Sequence, residues 1–148
     1  MVRAARVSAV VTLVLLACTV GPRPIVYDED TCARCRMVVS DRRYGAELVT
    51  ATGRVLVYDG IECVAQGVRE AEAGDVVSVW VTDSDQPETL IRAETAYFLQ
   101  AASLPSPMGA GLTAFATREG REAQAARHPG ALLDWAGVLE QVRDGHGH

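Results

Sequence analysis

The sequence predicts an α+β protein of two packed ββαβ modules, with antiparallel or mixed sheet, followed by a C-terminal helix. Between residues 46 and 82, two β-rich runs, an amphipathic helical stretch and a third β-rich run follow one another. The same order recurs less distinctly between residues 95 and 133, which indicates an internal duplication. One such module would bury little apolar surface, whereas a joined pair buries about two thirds of the unfolded surface.

The first residues are typical of a targeting signal. Arg3 and Arg6 give a positive start, and the apolar run of residues 7–16 is shorter than the roughly 20 residues that span a bilayer. The run ends in Leu-Leu-Ala-Cys, which resembles the lipobox of bacterial lipoproteins and implies cleavage before Cys18 and acylation of that residue. We therefore expect a signal peptide over residues 1–17 and stable anchoring by two or more acyl chains. The alternative is an ordinary secretory signal with an incidental cysteine.

The mature chain is acidic. Loss of Arg3 and Arg6 changes the formal charge from −5 to −7, and the chain contains no lysine. An acidic surface without a basic patch argues against nucleic-acid binding. Thr19, not an aspartate, follows Cys18, and the lipoprotein resemblance then implies a periplasmic protein on the outer membrane if the cell is Gram-negative.

A tether is predicted over residues 18–31, where proline and glycine interrupt regular structure and an acidic cluster ends the segment. The first module is predicted over residues 32–93 and begins with Cys-Ala-Arg-Cys-Arg-Met. Its hairpin comprises residues 46–51 and 54–58 around a Thr-Gly turn, because glycine allows the positive φ that a short loop requires.

The helix of the first module is predicted to begin after Asp59, with Glu62 completing a capping box. Four apolar residues share one face of this helix: Ile61, Val64, Ala65 and Val68. Gly74 closes the segment, and residues 76–82 form an apolar strand that completes the module.

Residues 83–92 are predicted as a polar connection to the second module, which spans residues 94–143 together with the C-terminal helix. Its strand, strand, helix and strand are expected at residues 95–100, 112–117, 118–127 and 131–133. Thr117 is predicted to cap its helix and Asp134 the C-terminal helix, and residues 144–148 form a histidine-containing tail. Four aromatic residues are expected in the core: Trp80, Phe98, Phe115 and Trp135.

Soft sulfur ligands stand at the start of the first module. Cys35 and Met37 are two residues apart, so in an extended segment both side chains would point to one face. Thiolate and thioether sulfur select Cu(I) over harder ions. Cys32 would reach the same ion only if the backbone turns. The pattern predicts an extracytoplasmic Cu(I) site with Cys35 and Met37 as ligands and Cys32 as a possible ligand.

A further sulfur ligand is expected from the second module. Met108 lies between proline and glycine in the loop of residues 105–111, where core packing seldom explains a methionine. This loop has the place in the second module that the Thr-Gly turn has in the first, so the metal would lie where the modules meet. Met108 is therefore predicted as a ligand, with a surface or core methionine as the alternative.

The remaining cysteine and histidine residues are less specific. With Cys18 acylated three cysteines remain, so at least one stays unpaired in an oxidising compartment. Cys63 is expected to be a buried free thiol of the first helix, with metal ligation as the alternative. His146 and His148 are possible ligands of Cu(II) or Zn(II) in the tail, or simply solvated.

The Cys32-x-x-Cys35 pair has competing explanations. A thiol-disulfide oxidoreductase would use both thiols and need neither Met37 nor Met108, although the pair lacks the usual position at a helix start after a strand. Zinc would need four ligands. Arg36 replaces the histidine required for haem attachment. A lipid-anchored interaction module, with the sulfurs used in packing, is a third class of function.

Taken together, these motifs resemble the NosL family, the copper-binding lipoprotein accessory proteins of nitrous oxide reductase. The matching segments are Cys18, residues 32–37, residues 55–59, Pro107-Met108-Gly109 and Phe115-Ala116. The resemblance implies two ββαβ modules and one Cu(I) ion per protein. It also implies a metallochaperone, not an enzyme, that passes copper to nitrous oxide reductase with a dedicated ABC-transporter complex.

The resemblance also implies roles for individual residues. The Cys-x-Met ligands of the family correspond to Cys35 and Met37, and its later methionine corresponds to Met108. Arg36 stands where the family often has glycine, and Tyr58-Asp59-Gly60 replaces the commoner Phe-Asp-Asp. Neither departure removes a donor atom, but Arg36 adds a positive charge near the expected ion.

Overall fold

The computed structural model describes residues 21–144. The predictions for the signal peptide, Cys18, His146 and His148 lie outside these residues. Within the described chain, no helix combines the length and apolar character needed to cross a membrane.

Two antiparallel sheets and three helices form the described chain, with a 3₁₀ turn at Ala93–Thr95. The elements in order are β1 Ala46–Thr50, β2 Val55–Tyr58, α1 Ile61–Glu70, β3 Val76–Thr82, β4 Leu90–Arg92, β5 Tyr97–Gln100, β6 Leu112–Phe115, α2 Arg118–Arg127, β7 Ala131–Leu133 and α3 Trp135–Asp144. The strand orders are β2-β1-β3-β4 in the first sheet and β6-β5-β7 in the second. This arrangement confirms the predicted α+β class, with two ββαβ units and a C-terminal helix.

Two boundaries differ from the sequence-based prediction because the connection between the units is structured. Leu90–Arg92 was predicted as part of a polar connection, but it forms β4. This strand pairs with β3, with Arg92 opposite Trp80 and Leu90 opposite Thr82. The 3₁₀ turn then occupies residues 93–95, so β5 begins at Tyr97 and not at residue 95. A three-residue strand bounded by polar residues carries too short a pattern to be recognised in the sequence.

The helix caps were predicted correctly at two of three positions. The Thr117 side chain accepts a hydrogen bond from Gly120 N at 3.1 Å, and Asp134 Oδ1 accepts one from Gly137 N at 2.8 Å. The prediction for Asp59 is wrong, because Gly60 is the N-cap residue of α1. The Asp59 carboxylate instead accepts a hydrogen bond from the Cys35 thiol at 3.4 Å.

The main core lies between the two sheets and under α1 and α3. Phe98 and Phe115 are buried as predicted, and Trp135 packs on the core with its ring 5.8 Å from that of Phe98. Trp80 is only partly buried, so its prediction as a core residue is wrong. Its indole N–H donates to Ser78 Oγ, and the Arg92 guanidinium lies 5.3 Å from its ring.

The segment predicted as a tether is docked onto the first sheet over its described part. Arg23 donates to Asp30 through two hydrogen bonds of 2.7 and 2.8 Å, and its backbone N–H donates to Glu47 Oε2 at 3.0 Å. Thr31 forms a β-bridge with Val38. These contacts hold residues 21–31 next to the sulfur motif instead of leaving them as a free linker.

Glu47 is a fully buried carboxylate in the middle of β1. Its Oε1 atom accepts no hydrogen bond from the described residues, while Oε2 accepts only the Arg23 backbone N–H. Burial raises the pKa of Glu47 from 4.5 to about 7. The folded protein therefore favours the protonated acid over a pH range in which the unfolded chain has already released that proton.

Glu47→Gln should change how stability depends on pH. The raised pKa contributes stability that is complete below pH 4.5 and lost as pH rises through about 7. The wild type should lose up to about 3 kcal/mol of this contribution, and the amide variant should lose none of it and be the more stable protein at pH 8. Chemical denaturation at several pH values measures this. Glu72→Gln, at an exposed position, controls for loss of a carboxylate, and parallel profiles for the wild type and Glu47→Gln would contradict the prediction.

Candidate metal centre

The backbone turns between Cys32 and Cys35, which is the condition for both thiols to approach one ion. Cys32 N donates to Met37 O at 2.8 Å, and Arg36 N donates to Cys32 O at 3.2 Å. Arg36 takes a left-handed φ of 67° to close the turn. The extended geometry assumed for Cys35 and Met37 is therefore wrong, and strand alternation does not orient their side chains.

One further hydrogen bond places the turn against the first module. Ala33 N donates to Val57 O at 2.8 Å, so the motif runs beside the end of β2. The step from β2 to α1 then brings Asp59 and Cys63 to the same place. Asp59 lies just before the helix and Cys63 is its third residue.

Four potential ligand atoms are gathered here: the sulfur atoms of Cys32, Cys35 and Cys63 and a carboxylate oxygen of Asp59 all lie within 4.8 Å of one another. All three cysteines are free thiols. Cys63 is buried as expected, yet it belongs to this group, as the alternative prediction of metal ligation requires. Cys63 lies four residues after Asp59, on the other side of a helix start, and this spacing was the signal that the two side chains could meet. The apolar stripe of α1 already explained a buried cysteine at this position, so the signal was not used.

The three thiols differ in pKa because their hydrogen bonds and surroundings differ. The Cys63 thiol donates a hydrogen bond to the Cys32 sulfur, and backbone N–H groups of Asp59, Cys35 and Arg34 donate to the same atom. These donors stabilise a thiolate and lower the pKa of Cys32 to about 6. The same hydrogen bond, together with burial, raises the pKa of Cys63. Burial also raises the pKa of Cys35.

A cavity of about 220 Å³ lies beside this group, where the two modules meet. Its lining residues are Met37, Val38, Ser40, Asp41, Asp59, Pro105, Ser106 and Pro107. Asp59 therefore borders both the thiol group and the cavity. Met37 lies on the wall from the first module and has 46 % of its surface exposed.

The opposite wall is the proline-rich loop that carries Met108. Ser106 Oγ donates to Glu62 Oε1 at 2.9 Å and accepts from Gly111 N at 2.9 Å. The Tyr44 hydroxyl donates to Pro105 O, which also fixes the loop to the first module. Met108 follows the lining residues and is 43 % exposed. Burial raises the pKa of Glu62, which lies under this loop.

Replacing Arg36 by glycine and by alanine should separate backbone strain from loss of the side chain. A left-handed φ costs an L-residue roughly 1 to 2 kcal/mol, whereas glycine adopts it freely. Both variants lose the guanidinium, so Arg36→Gly should be more stable than Arg36→Ala by about 1 kcal/mol.

Thermal or urea unfolding of the metal-free protein measures this difference. The same pair of substitutions at Arg34, whose φ is not positive, should instead favour alanine. Equal stability of the two Arg36 variants would show that the turn is not held in the left-handed conformation.

The fold and the site together define a class of protein: two ββαβ modules with free cysteines at the start of the first and a methionine-bearing loop in the second. The model of the NosL family matches residues 24–142, and the chain belongs to this family. A solved structure described as the copper chaperone NosL from Shewanella denitrificans is 20% identical to the chain. The two structures align with a TM-score of 0.70 over 79% of this chain and 95% of the Shewanella chain, so they share the fold. No curated protein sequence matches the chain.

Proposed function

We propose that this protein is an extracytoplasmic Cu(I) chaperone, not an enzyme, that supplies copper for the centres of nitrous oxide reductase. One observation carries the proposal: free thiols within 4.8 Å of one another adjoin a cavity bordered by Met37 and the Met108 loop. Soft sulfur donors of this kind favour Cu(I). The similarity in fold to a protein named a copper chaperone supports the same conclusion.

In this proposal Cys35 is the anchoring ligand, and Met37 and Met108 are neutral donors. Cys35 is the one partly exposed thiol among the three free cysteines of the described chain, so it is the thiol that an incoming ion meets first. The two methionines are about half-exposed, which suits ligands that must be reached by a partner. Thioethers need no deprotonation, so they can leave the ion without a proton transfer.

Handover would take place at the exposed side of the site. Met37 and Val38 are both about half-exposed and lie side by side at the cavity. A partner protein could cover this apolar edge while its own ligands replace the methionines. The proposed recipients are nitrous oxide reductase or the ABC-transporter complex of its maturation. A lipid anchor at Cys18 would keep the chaperone on the periplasmic side of the membrane, on the outer membrane in a Gram-negative cell.

A thiol-disulfide oxidoreductase is the second candidate, and the lowered pKa of Cys32 favours it. Attack on a substrate disulfide needs access as well as thiolate character. Cys32 is fully buried and lies behind Cys35, so a substrate disulfide cannot reach it in this conformation. Burial of the thiolate fits retention of an ion better than exchange with another protein. A reversible Cys32–Cys35 disulfide that transfers to substrate without Met37 or Met108 would favour the oxidoreductase.

Cu(I) titration of the mature protein under anaerobic conditions, in competition with a chromophoric chelator, tests copper binding. One tight equivalent is expected. Cys35→Ser should abolish tight binding, because it removes the anchoring thiolate. Met37→Ala and Met108→Ala should each weaken binding by about tenfold, the loss of roughly 1.4 kcal/mol.

Val38→Ala is the matched control, since it shortens an exposed apolar side chain next to Met37 without removing a donor. It should bind copper as the wild type does. Absence of tight Cu(I) binding in the fully reduced wild type would end the chaperone proposal.

The client and the anchor are tested in cells from which the gene has been deleted. Purified nitrous oxide reductase should be deficient in copper, and a plasmid copy of the wild type should restore its copper content, whereas Cys35→Ser should not. Cys18→Ala should leave the protein in the soluble periplasmic fraction. Full copper loading in the deletion strain would refute this client, and retention of Cys18→Ala in membranes would refute the lipid anchor.

A further inference from the structure

Three thiols lie close together in the fold, and only one of them, that of Cys35, is among the proposed ligands. Cys32 and Cys63 lie behind Cys35, and they are hydrogen-bonded to each other. Neither thiol is needed for the outer set of Cys35, Met37 and Met108. Three unpaired thiols kept together in an oxidising compartment call for a chemical role.

We propose that Cys32, Cys35 and Cys63 form an inner copper site behind the outer one. The two sites share Cys35, so one ion occupies one position or the other. This inference rests on the proposed carriage of Cu(I). The inner position holds the ion while Met37 and Met108 exchange with the ligands of a partner.

The distances already approach those of a metal site. A metal–sulfur bond of about 2.3 Å places two sulfurs of a tetrahedral site roughly 3.8 Å apart. The three sulfurs and the Asp59 oxygen lie within 4.8 Å of one another. A closure of about 1 Å at most, by rotation of side chains, is then sufficient.

The polar groups around the thiols suit an anionic metal complex. Three backbone N–H groups donate to the Cys32 sulfur, and one from Met37 donates to that of Cys35. Cys63 lies in the first turn of α1, where the helix dipole favours negative charge. Asp59 is buried, and its Oδ1 atom has no hydrogen-bond partner among residues 21–144. This oxygen lies beside the three sulfurs, at a place where a cation would offset buried negative charge.

The transfer between the two sites is a ligand exchange without redox chemistry. The two thioethers that leave the ion are replaced by the sulfurs of Cys32 and Cys63. Cys32 binds as the thiolate that its hydrogen-bond donors stabilise, and the proton of Cys63 passes to solvent. Copper stays Cu(I) throughout. Three thiolates and one Cu(I) carry a charge of −2 beside the Asp59 carboxylate, which makes the inner site the weaker of the two. Since Cys32 and Cys63 are 0% and 1% exposed, the ion reaches them only past Cys35.

The discriminating variant lacks both methionines. If the outer site were the whole site, Met37→Ala with Met108→Ala would lose about a hundredfold in Cu(I) affinity, since two tenfold losses add in free energy. With an inner site the loss of Cu(I) affinity should be only about tenfold, because the ion then binds to Cys32, Cys35 and Cys63 instead. X-ray absorption at the copper edge should then find three sulfur neighbours in this variant, whereas the outer site alone would leave one.

Adding Cys32→Ser and Cys63→Ser to that variant should abolish the residual binding. Ala65→Ser, which places a hydroxyl at another buried position of α1, is the matched control and should leave it unchanged. The mature lipoprotein in detergent is used throughout, and circular dichroism of the metal-free proteins reports on folding. If the serine variants do not fold, the sulfur count of the double-methionine variant decides.

The outcomes separate the two proposals. Weak or no Cu(I) binding by the wild type defeats the chaperone and the inner site together. Tight binding by the wild type with a hundredfold loss, or a single sulfur neighbour, in the double-methionine variant defeats the inner site alone. A Zn(II) ion that copurifies on the three thiols and resists Cu(I) also overturns it, because the cluster would then be a structural zinc site.

Discussion

The turn from Cys32 to Met37, fixed to the end of β2, is the constraint on which the site depends. Cys32 N bonds to Met37 O within the turn, and Ala33 N bonds to Val57 O across to the strand. These two hydrogen bonds leave the thiols over the β2–α1 step, where Asp59 and Cys63 complete the group. Without the contact to β2, two cysteines near the chain start would have no fixed relation to a helix that begins at Ile61. The thiols are thus positioned by backbone pairing.

The second module contributes through one loop whose position is set by polar contacts with the first. Ser106 and the Tyr44 hydroxyl tie this loop to α1 and to the segment before β1. The cavity therefore has one wall from each module, and motion of the modules relative to each other would change its width. In the proposed function, half-exposed methionines at this boundary would combine a soft donor with access for a partner, which a fully buried donor could not offer.

Structural features that depend only on neighbouring residues could be predicted from the sequence. Thr117 and Asp134 cap their helices because their side chains meet only the amides of the next turn, and the periodicity of α1 is carried by its own residues. Prediction failed where a distant partner decides. Asp59 has the spacing of a capping residue, but Cys35, 24 positions earlier, takes its carboxylate. The left-handed φ of Arg36 was not predicted either, because arginine has no preference for that conformation. The glycine that the family often has at this position was a signal for it, since glycine adopts positive φ freely.

Cys63 shows why the thiol group was the hardest part to find. In the sequence it is one small apolar residue among the buried positions of α1, and burial as core explains it fully. Only the folded chain shows that the Cys32 sulfur lies next to Cys63 and accepts a hydrogen bond from its thiol. A buried thiolate costs free energy unless hydrogen-bond donors or a cation offset its charge. The amides around Cys32 offset part of this cost, and a monovalent soft cation would offset more of it. The hydrogen-bond donors of the metal-free site are therefore already arranged around Cys32 as a buried thiolate requires.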